Sequence, residues 1–322
     1  MNQLFKLILS ALLAITVCPT KAQDGNATYQ LVFSDEFDLP DGSPPDPAKW
    51  TASQRQGATW SRWISPSTEV AFVKNGSLVC RAIPNPDTTA DAVPMITGAM
   101  ETRNKFSFTY GKVEVRLKTN LHKGNFPAAW MMPQPPADGW PRGGEIDIFE
   151  SIDAQKTAYH TVHSHWTYDL GNRSNPRSSF SEQVMVNAWH VYGLEWTEDC
   201  IIWTVDGKEV GRYAKSSDPN ALANGQWPFD HPFYLILNQS VGNGSWAKDA
   251  DTSYTYQTFF DYVRVYQRVP DGVHTVPDTP NRTIQTAAIH DLSGRRVNKV
   301  QKNGIYLRGG QKMAVSVPWN NR

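Results

Sequence analysis

The segment Gly-Gly-Glu-Ile-Asp-Ile-Phe-Glu at residues 143–150 places three acidic side chains among β-forming residues. In a regular strand Glu145 and Asp147 share one face, whereas Glu150 falls on the other. An ordinary structural strand avoids this pattern, because like charges on one face repel and burying them costs free energy. One extra residue near positions 148–149 would return Glu150 to the shared face. We therefore predict a β-bulge there.

The bulge would bring the carboxylates within catalytic reach of one another. Glu145 and Glu150 would be about 13 Å apart along the strand at about 3.3 Å per residue. Side chains that lean together can narrow this to the roughly 5–5.5 Å between carboxyl groups in retaining glycosidases. Asp147 lies between them, so at least one pKa should rise and one residue type could supply both a nucleophile and a general acid. The alternative is a solvated acidic strand.

The rest of the chain between about residues 29 and 266 reads as many short strands. Residues 113–118, 202–205 and 262–266 alternate apolar and polar side chains, and Asn-Gly and Asp-Gly pairs mark turns. No stretch keeps a helical period with caps. The pattern predicts an all-β fold, an antiparallel β-sandwich or jelly roll.

Composition narrows the function classes. Hydrophobic residues make up 40% of the chain and charged residues 19%, which excludes a disordered polymer. The formal net charge is zero, which argues against a nucleic-acid partner. Residues 23–270 carry 21 basic and 28 acidic side chains, so sulfated or uronic polyanions are disfavoured as substrates. Twelve Trp residues suit the apolar faces of sugar rings, although Trp also fills cores.

The N-terminus resembles an export signal. Lys6 precedes the apolar run 7–17, and Thr-Lys-Ala at 20–22 offers a small-residue cleavage site. We expect a signal peptide over residues 1–22 and an exported protein in the periplasm, at the cell surface or outside the cell. A lipid anchor at Cys18 is the alternative. No other long apolar run exists, so we expect no membrane-spanning segment.

The C-terminus changes character after the predicted catalytic domain at residues 23–268. Residues 269–285 read as a linker, and residues 286–322 as a small β tail. The tail resembles the sorting tails of exported Bacteroidetes proteins, and the alternative is a small appended β module. Cys80 and Cys200 lie in apolar runs without ligand spacing, so we expect buried structural cysteines.

The hexapeptide at 145–150 resembles the catalytic signature of glycoside hydrolase family 16, in the bulged form of its laminarinase-like members. The likeness covers about residues 29–268 and also includes the segments 33–37, 74–78, 126–132, 161–163, 238–242 and 261–266. The resemblance implies a concanavalin/lectin-like β-jelly-roll sandwich with an open substrate cleft on its concave face.

The resemblance also assigns roles. Glu145 would be the nucleophile, Glu150 the general acid/base, and Asp147 a hydrogen-bond partner of the nucleophile, in a retaining mechanism. The residues matching substrate-binding positions are Trp130, Trp140, His163, Gln239 and Trp246. No cofactor is implied for catalysis. The residues matching a structural calcium site in some members are Glu36, Gly76 and Asp261.

The implied substrate is a polysaccharide or oligosaccharide cut by a monomeric endo-enzyme. The resemblance to the bulged branch implies β-1,3- or mixed-linkage β-1,3/1,4-glucan. Phe149 stands where laminarinases commonly have Met, and residues 160–165 depart from their usual pattern. An endo-β-galactosidase acting on galactose-containing glycans such as mucin O-glycans is therefore the first alternative. A non-catalytic carbohydrate-binding, lectin-like module is the second, although such a module needs no paired acids.

Overall fold

The computed structural model describes residues 28–269, 289–290, 295–297, 304–308 and 311–315. The chain divides into two compact units, Met1–Val269 and Pro270–Arg322. The predicted signal peptide lies outside the described residues, as does the predicted linker from residue 270 onward.

The described part of the first unit, residues 28–269, contains fifteen strands and two short helices. The strands are β1 (Tyr29–Asp35), β2 (Thr51–Ala52), β3 (Ala71–Lys74), β4 (Ser77–Pro84), β5 (Met95–Glu101), β6 (Gly111–Thr119), β7 (Asn125–Pro133), β8 (Glu145–Glu150), β9 (Thr157–His163), β10 (Ser179–Gln183), β11 (His190–Trp196), β12 (Cys200–Val205), β13 (Lys208–Ala214), β14 (Phe233–Val241) and β15 (Tyr256–Arg268). A single-turn π-helix spans His165–Asp169, and α1 spans Pro219–Ala223.

The strands form one continuous antiparallel ladder that folds over on itself. Its order is β10-β9-β8-β7-β14-β5-β4-β15-β6-β11-β12-β13, with β1 on β15, β2 on β5 and β3 on β4. We call β10 through β5 in this order the acid-bearing sheet and β4 through β13 the opposite sheet. The two sheets pack face to face, and the predicted all-β jelly-roll sandwich is confirmed.

Strict alternation builds the core between the sheets. In β6 every second residue is buried, including Val113, Val115 and Leu117. The acid-bearing sheet contributes Ile146 and Phe149 to the same core. Burying a Val, Leu or Phe side chain stabilises the fold by about 1.5–3 kcal/mol. Several of the Trp residues are core residues as well, among them Trp196 and Trp203.

Cys80 and Cys200 are both buried, as predicted. Cys80 is a free thiol. Burial raises its pKa, so its reactive thiolate form is disfavoured.

The second unit contains a small antiparallel sheet. Its strands are β16 (Ile289–His290), β17 (Gly304–Arg308) and β18 (Gln311–Val315), in that order. These strands fall within residues 286–322, and the extent and sorting role of the tail stay predictions. Among the described residues, no helix has the length and apolarity needed to cross a membrane.

Replacing Gly98 on β5 by Ala should destabilise the sandwich. A Cβ built at Gly98 would lie 2.0 Å from the backbone oxygen of Val70, so backbone must shift. Overpacking of this kind costs about 1–3 kcal/mol. Urea unfolding of Gly98→Ala should show that loss, whereas the control Gly57→Ala, where the new Cβ meets open space, should match the wild type. Equal midpoints for the two variants would contradict the packing described here.

Candidate active site

The register of β8 with both neighbours confirms the predicted bulge. On β9, Asp147 pairs with Thr161 and Glu150 with Tyr159, so three steps on β8 oppose two on β9. On β7, Trp130 pairs with Asp147 and Ala129 with Phe149, so β8 again has one surplus residue. That residue is Ile148. Ile148 and Phe149 are consecutive, yet both side chains are fully buried in the core.

The bulge places Glu145, Asp147 and Glu150 on one face of β8. Directly paired residues share a face in an antiparallel sheet. The row of acids is therefore flanked by residues of β7 on one side and of β9 on the other. The flanking residues are Ala128 and Trp130 from β7, and Tyr159, Thr161 and His163 from β9.

Glu145 lies between the indole of Trp140 and the imidazole of His163. The Trp140 indole Nε1 donates a hydrogen bond to Glu145 Oε2 at 2.5 Å. His163 Nε2 lies 3.8 Å from Glu145 Oε1 and 3.5 Å from Asp147 Oδ2. His163 thus lies at the Glu145 end of the acid row, and Tyr159 occupies the position opposite Glu150. The His163 ring lies near the carboxylates of Glu145 and Asp147.

Burial raises the pKa of all three carboxyl groups, but their neighbours act differently. For Glu145 every neighbouring contact opposes burial: the charge of His163 and hydrogen bonds from Trp140 and Asp147 lower its pKa. For Asp147 the charges of Glu150 and Glu145 add to burial and raise the pKa further. Burial and the charge of Glu145 raise the pKa of Glu150 to about 8.

These shifts distinguish the two glutamates. Glu150, whose pKa is about 8, holds its proton at neutral pH, whereas the contacts of Glu145 favour its ionised form. The contacts of Asp147 point to a proton on that carboxyl as well. Its Oδ2 is buried and accepts no hydrogen bond in the described part of the chain. A proton on Asp147 directed at Glu145 would provide the missing partner. The site therefore offers one ionised and one protonated glutamate on the same face.

Exposed aromatic rings stand at both ends of the acid row. Trp140, 47% exposed, packs edge-on against Tyr168 with ring centroids 4.4 Å apart, at the Glu145 end. Trp246, 44% exposed, packs against Tyr159 and Phe126 at 5.4 Å, at the Glu150 end. Both predicted Trp residues are thus solvent-accessible and adjacent to the acids, as sugar stacking requires.

Trp130 is on the acid-bearing face but is largely covered. It is 5% exposed, donates a hydrogen bond to Asn238 Oδ1 at 2.8 Å, and packs edge-on against Trp60 at 4.8 Å. An apolar cluster surrounds it, formed by Ala128, Tyr234, Ile236, Trp60 and Met132. Trp130 therefore contributes to the floor beside Asp147.

The prediction that Gln239 reaches a sugar hydroxyl is wrong. Gln239 is 0% exposed, and its Nε2 donates to Asn125 Oδ1 and to the Ser240 carbonyl, both at 2.8 Å. Its Oε1 accepts from Thr258 on the opposite sheet. Strand alternation explains the error, because Asn238 shares the face of Trp130 and its neighbour Gln239 points into the core.

The residues predicted for calcium do not fit that ion through their side chains. The Glu36 carboxylate accepts two hydrogen bonds from Arg264, at 2.9 and 2.8 Å, and Asp261 pairs with Arg116 at 2.5 Å. Gly76 forms the β3–β4 turn with a φ of +71°. Calcium stays a prediction that these contacts do not favour. Among the described residues, the metal-type side chains that cluster are Glu145, Asp147 and His163, within 4.8 Å of one another.

The sequence reasoning missed several neighbours of the acids. Tyr159 alternates with His163 along β9, so the period of two could have identified it. Tyr168 lies on the π-helix, which no sequence signal indicated. His160 and Trp203 donate to backbone oxygens of β8, contacts that depend on tertiary packing.

The raised pKa of Glu150 predicts a pH-dependent gain in stability for Glu150→Gln. A carboxyl whose folded pKa is raised loses stability as pH rises from its unfolded pKa, about 4.5, to its folded pKa, about 8. Across that pH window the free energy of unfolding of the variant should therefore rise relative to that of the wild type. The expected rise is more than about 1.4 kcal/mol, the equivalent of one pKa unit. Urea unfolding at pH 4.5 and 8 measures this. The exposed control Glu198→Gln should show no such gain, and a Glu150→Gln gain independent of pH would contradict the account.

Comparison with known proteins agrees with this geometry. The family model "Glycosyl hydrolases family 16" matches residues 70–262. A keratan-sulfate endo-1,4-beta-galactosidase of Sphingobacterium multivorum is 36% identical over 246 residues, covering 74% of this chain and 55% of that protein. A beta-glucanase of Rhodothermus marinus is 33% identical over 277 residues, covering 81% of this chain and 93% of that protein.

A solved structure shows the same fold. The laminarinase of Rhodothermus marinus aligns with a TM-score of 0.65 and 32% identity, covering 76% of this chain and all of that one. The chain thus spans nearly the whole Rhodothermus glucanase and about half of the Sphingobacterium galactosidase. With the matched segment containing the bulged strand and both glutamates, the chain belongs to glycoside hydrolase family 16.

Proposed function

We propose that the protein is an endo-acting, retaining β-glycoside hydrolase that cleaves β-1,3- or mixed-linkage β-1,3/1,4-glucan. The observation that carries the proposal is the bulge at Ile148, which puts Glu145 and Glu150 on one face. Neighbouring groups favour the ionised form of Glu145 and the protonated form of Glu150. These are the two states that a double displacement needs at its start.

In the first step the glycan chain lies over β8 with one glycosidic bond between the two glutamates. Glu150 donates its proton to the glycosidic oxygen as the bond to the anomeric carbon breaks. The Glu145 carboxylate attacks that carbon from the other side and forms a covalent glycosyl-enzyme. The shortened chain leaves with the proton from Glu150.

In the second step water replaces the departed chain. Glu150, now ionised, removes a proton from the water as its oxygen attacks the anomeric carbon and the ester to Glu145 breaks. Both glutamates return to their starting protonation states. Asp147 and His163 act on Glu145 through their contacts, holding its charge and orientation between attack and release.

Support for a glucan comes from two independent sources. A glucanase and a laminarinase from Rhodothermus marinus align over 93% and 100% of their own length. The excess of acidic side chains over residues 23–270 would repel a sulfated chain. Endo action is supported by the exposed rings Trp140 and Trp246, which stand on both sides of the acids and could bind sugars beyond the cleaved bond.

A second candidate activity is that of an endo-β-galactosidase on galactose-containing glycans such as mucin O-glycans. The relative named as a keratan-sulfate endo-1,4-beta-galactosidase has 36% identity. The departures at residues 160–165 lie on β9, which pairs with the acid-bearing strand β8, and at the start of the π-helix. A purely carbohydrate-binding module is disfavoured, since sugar binding does not need a carboxyl group that favours ionisation beside one that keeps its proton.

The cellular setting belongs to the proposal as well. We expect export through residues 1–22, action outside the cytoplasm and a monomeric enzyme without a nucleic-acid partner. N-terminal sequencing of the exported protein should give Gln23 as the first residue. Retention of Met1, or acylation at Cys18, would contradict this part of the proposal.

Replacing Glu145 by Gln should abolish hydrolysis while preserving folding and glycan binding, because the amide cannot form the glycosyl ester. Reducing-end release should be measured on laminarin, barley β-glucan, agarose and mucin glycans. The wild type should release internal fragments from laminarin or barley β-glucan, with the β-anomer appearing first by NMR. Mucin cleavage alone would favour the galactosidase, and an active Glu145→Gln enzyme would refute the assignment of the nucleophile.

The pH profile should report both glutamates. Activity should fall as pH rises through about 8, because Glu150 loses the proton it must donate. At low pH, activity should fall as the Glu145 carboxylate becomes protonated, and this fall forms the acid limb of the profile. Trp140→Phe removes a hydrogen bond that lowers the pKa of Glu145, so that limb should move to higher pH. Trp246→Phe, whose ring packs beside Tyr159, should leave the acid limb in place. An unshifted limb in Trp140→Phe would contradict the described contact.

A further inference from the structure

Two carbonyl groups at the bulge are held by side chains. A bulge disrupts the ladder locally, and a buried carbonyl without a donor costs free energy. The carbonyl of Asp147 accepts a hydrogen bond from Trp203 Nε1 at 2.8 Å. The carbonyl of Ile148 accepts one from His160 Nδ1 at 2.7 Å. Each donor is fully buried.

The two donors approach from different parts of the sandwich. His160 lies on β9 between Thr161, which pairs with Asp147, and Tyr159, which pairs with Glu150. It is therefore the single residue opposite the two bulge residues. Trp203 lies on β12 of the opposite sheet and reaches across the core. The bulge is thus fixed from the side by its partner strand and from below by the other sheet.

The chemistry of the His160 ring fits this task. A carbonyl oxygen only accepts, so Nδ1 must carry the ring hydrogen. Burial lowers the pKa of His160 to about 4, so the ring is neutral at physiological pH. Its Nε2 is then unprotonated, and this atom is buried with no hydrogen-bond partner in the described part of the chain. The contact with Ile148 is the strong polar contact of this ring.

We propose that His160 is a positioning residue for catalysis: its hydrogen bond to the Ile148 carbonyl fixes the bulge and, through it, the place of Glu150 relative to Glu145. The inference rests on the proposed function and deepens it. Glu145 precedes the bulge and Glu150 follows it along β8. Loosening the bulge therefore displaces the acid/base while leaving the nucleophile beside Trp140 and His163.

This order along the strand separates positioning from simple packing. A packing defect would lower activity on every substrate alike. A displaced Glu150 would instead spare substrates that need no proton donor. The phenolate of an activated aryl glycoside leaves without being protonated, so the first step on that substrate depends on Glu145 alone. Cleavage of a glycan needs general acid catalysis, which contributes about 10²–10⁴-fold to the rate.

The experiment compares His160→Leu with His160→Asn. The Asn side chain can place an amide N–H near the position of Nδ1, whereas Leu removes the donor. Activities are measured on the glycan that the wild type cleaves best and on the matching 2,4-dinitrophenyl glycoside, with and without azide. Val162→Ala, a buried change on the same face of β9, is the matched control for lost packing.

For His160→Leu we expect kcat on the glycan to fall about 100-fold or more with KM nearly unchanged. The burst of dinitrophenol should fall less than about 10-fold, and azide should restore turnover by trapping the intermediate as a glycosyl azide. His160→Asn should recover glycan activity to within about 10-fold of the wild type. Val162→Ala should lower the activity on both substrates by the same factor.

Equal losses on both substrates in His160→Leu, or unchanged glycan activity, would overturn the inference. If His160→Leu does not fold, His160→Gln replaces it. The Gln amide lies one bond farther from the backbone than the Asn amide, so it does not match the position of Nδ1. Gln and Asn variants with the same glycan activity would then overturn the inference. A wild type that cleaves neither substrate class would refute the proposed function instead.

Discussion

The surplus residue Ile148 decides how the acidic strand can be used. Without it, side-chain alternation would send Glu150 into the core, where an unpaired carboxyl costs several kcal/mol. With it, Ile148 and Phe149 both face the core and all three acids face the other way. The bulge thus satisfies the core and the site at once. Its two displaced carbonyls are satisfied by His160 and Trp203, which ties the site to both sheets.

The electrostatics follow from this crowding. Three carboxyl groups on six residues of one buried strand cannot all ionise, and their contacts decide which one does. Trp140 and His163 lie beside Glu145 and favour its ionised form. The negative charge of Glu145 raises the pKa of Glu150, which therefore keeps its proton. Two identical side chains therefore acquire opposite roles from their surroundings. The fold supplies this asymmetry through the loop before β8 and through the neighbouring strand β9.

Sequence reasoning was most successful where a short-range rule applied. Alternation in segments such as 113–118 predicted the strands, and the spacing of the acids at 145–150 predicted the bulge. It failed where the face of a residue depended on register. Gln239 looked like a sugar ligand, but its neighbour Asn238 occupies the acid-bearing face and Gln239 points to Thr258. The calcium prediction for Glu36 and Asp261 came from the resemblance, and their arginine partners, distant in sequence, could not be foreseen.

The most direct test is a crystal structure of the protein after reaction with an activated 2-deoxy-2-fluoro glycoside of the glycan that it cleaves. The account predicts a covalent ester on the Glu145 carboxyl, with the Glu150 carboxyl on the same side of β8, facing the anomeric carbon. It also predicts that the Ile148 and Phe149 side chains both point into the core. A label on another residue, or a Glu150 side chain turned toward the core, would contradict it.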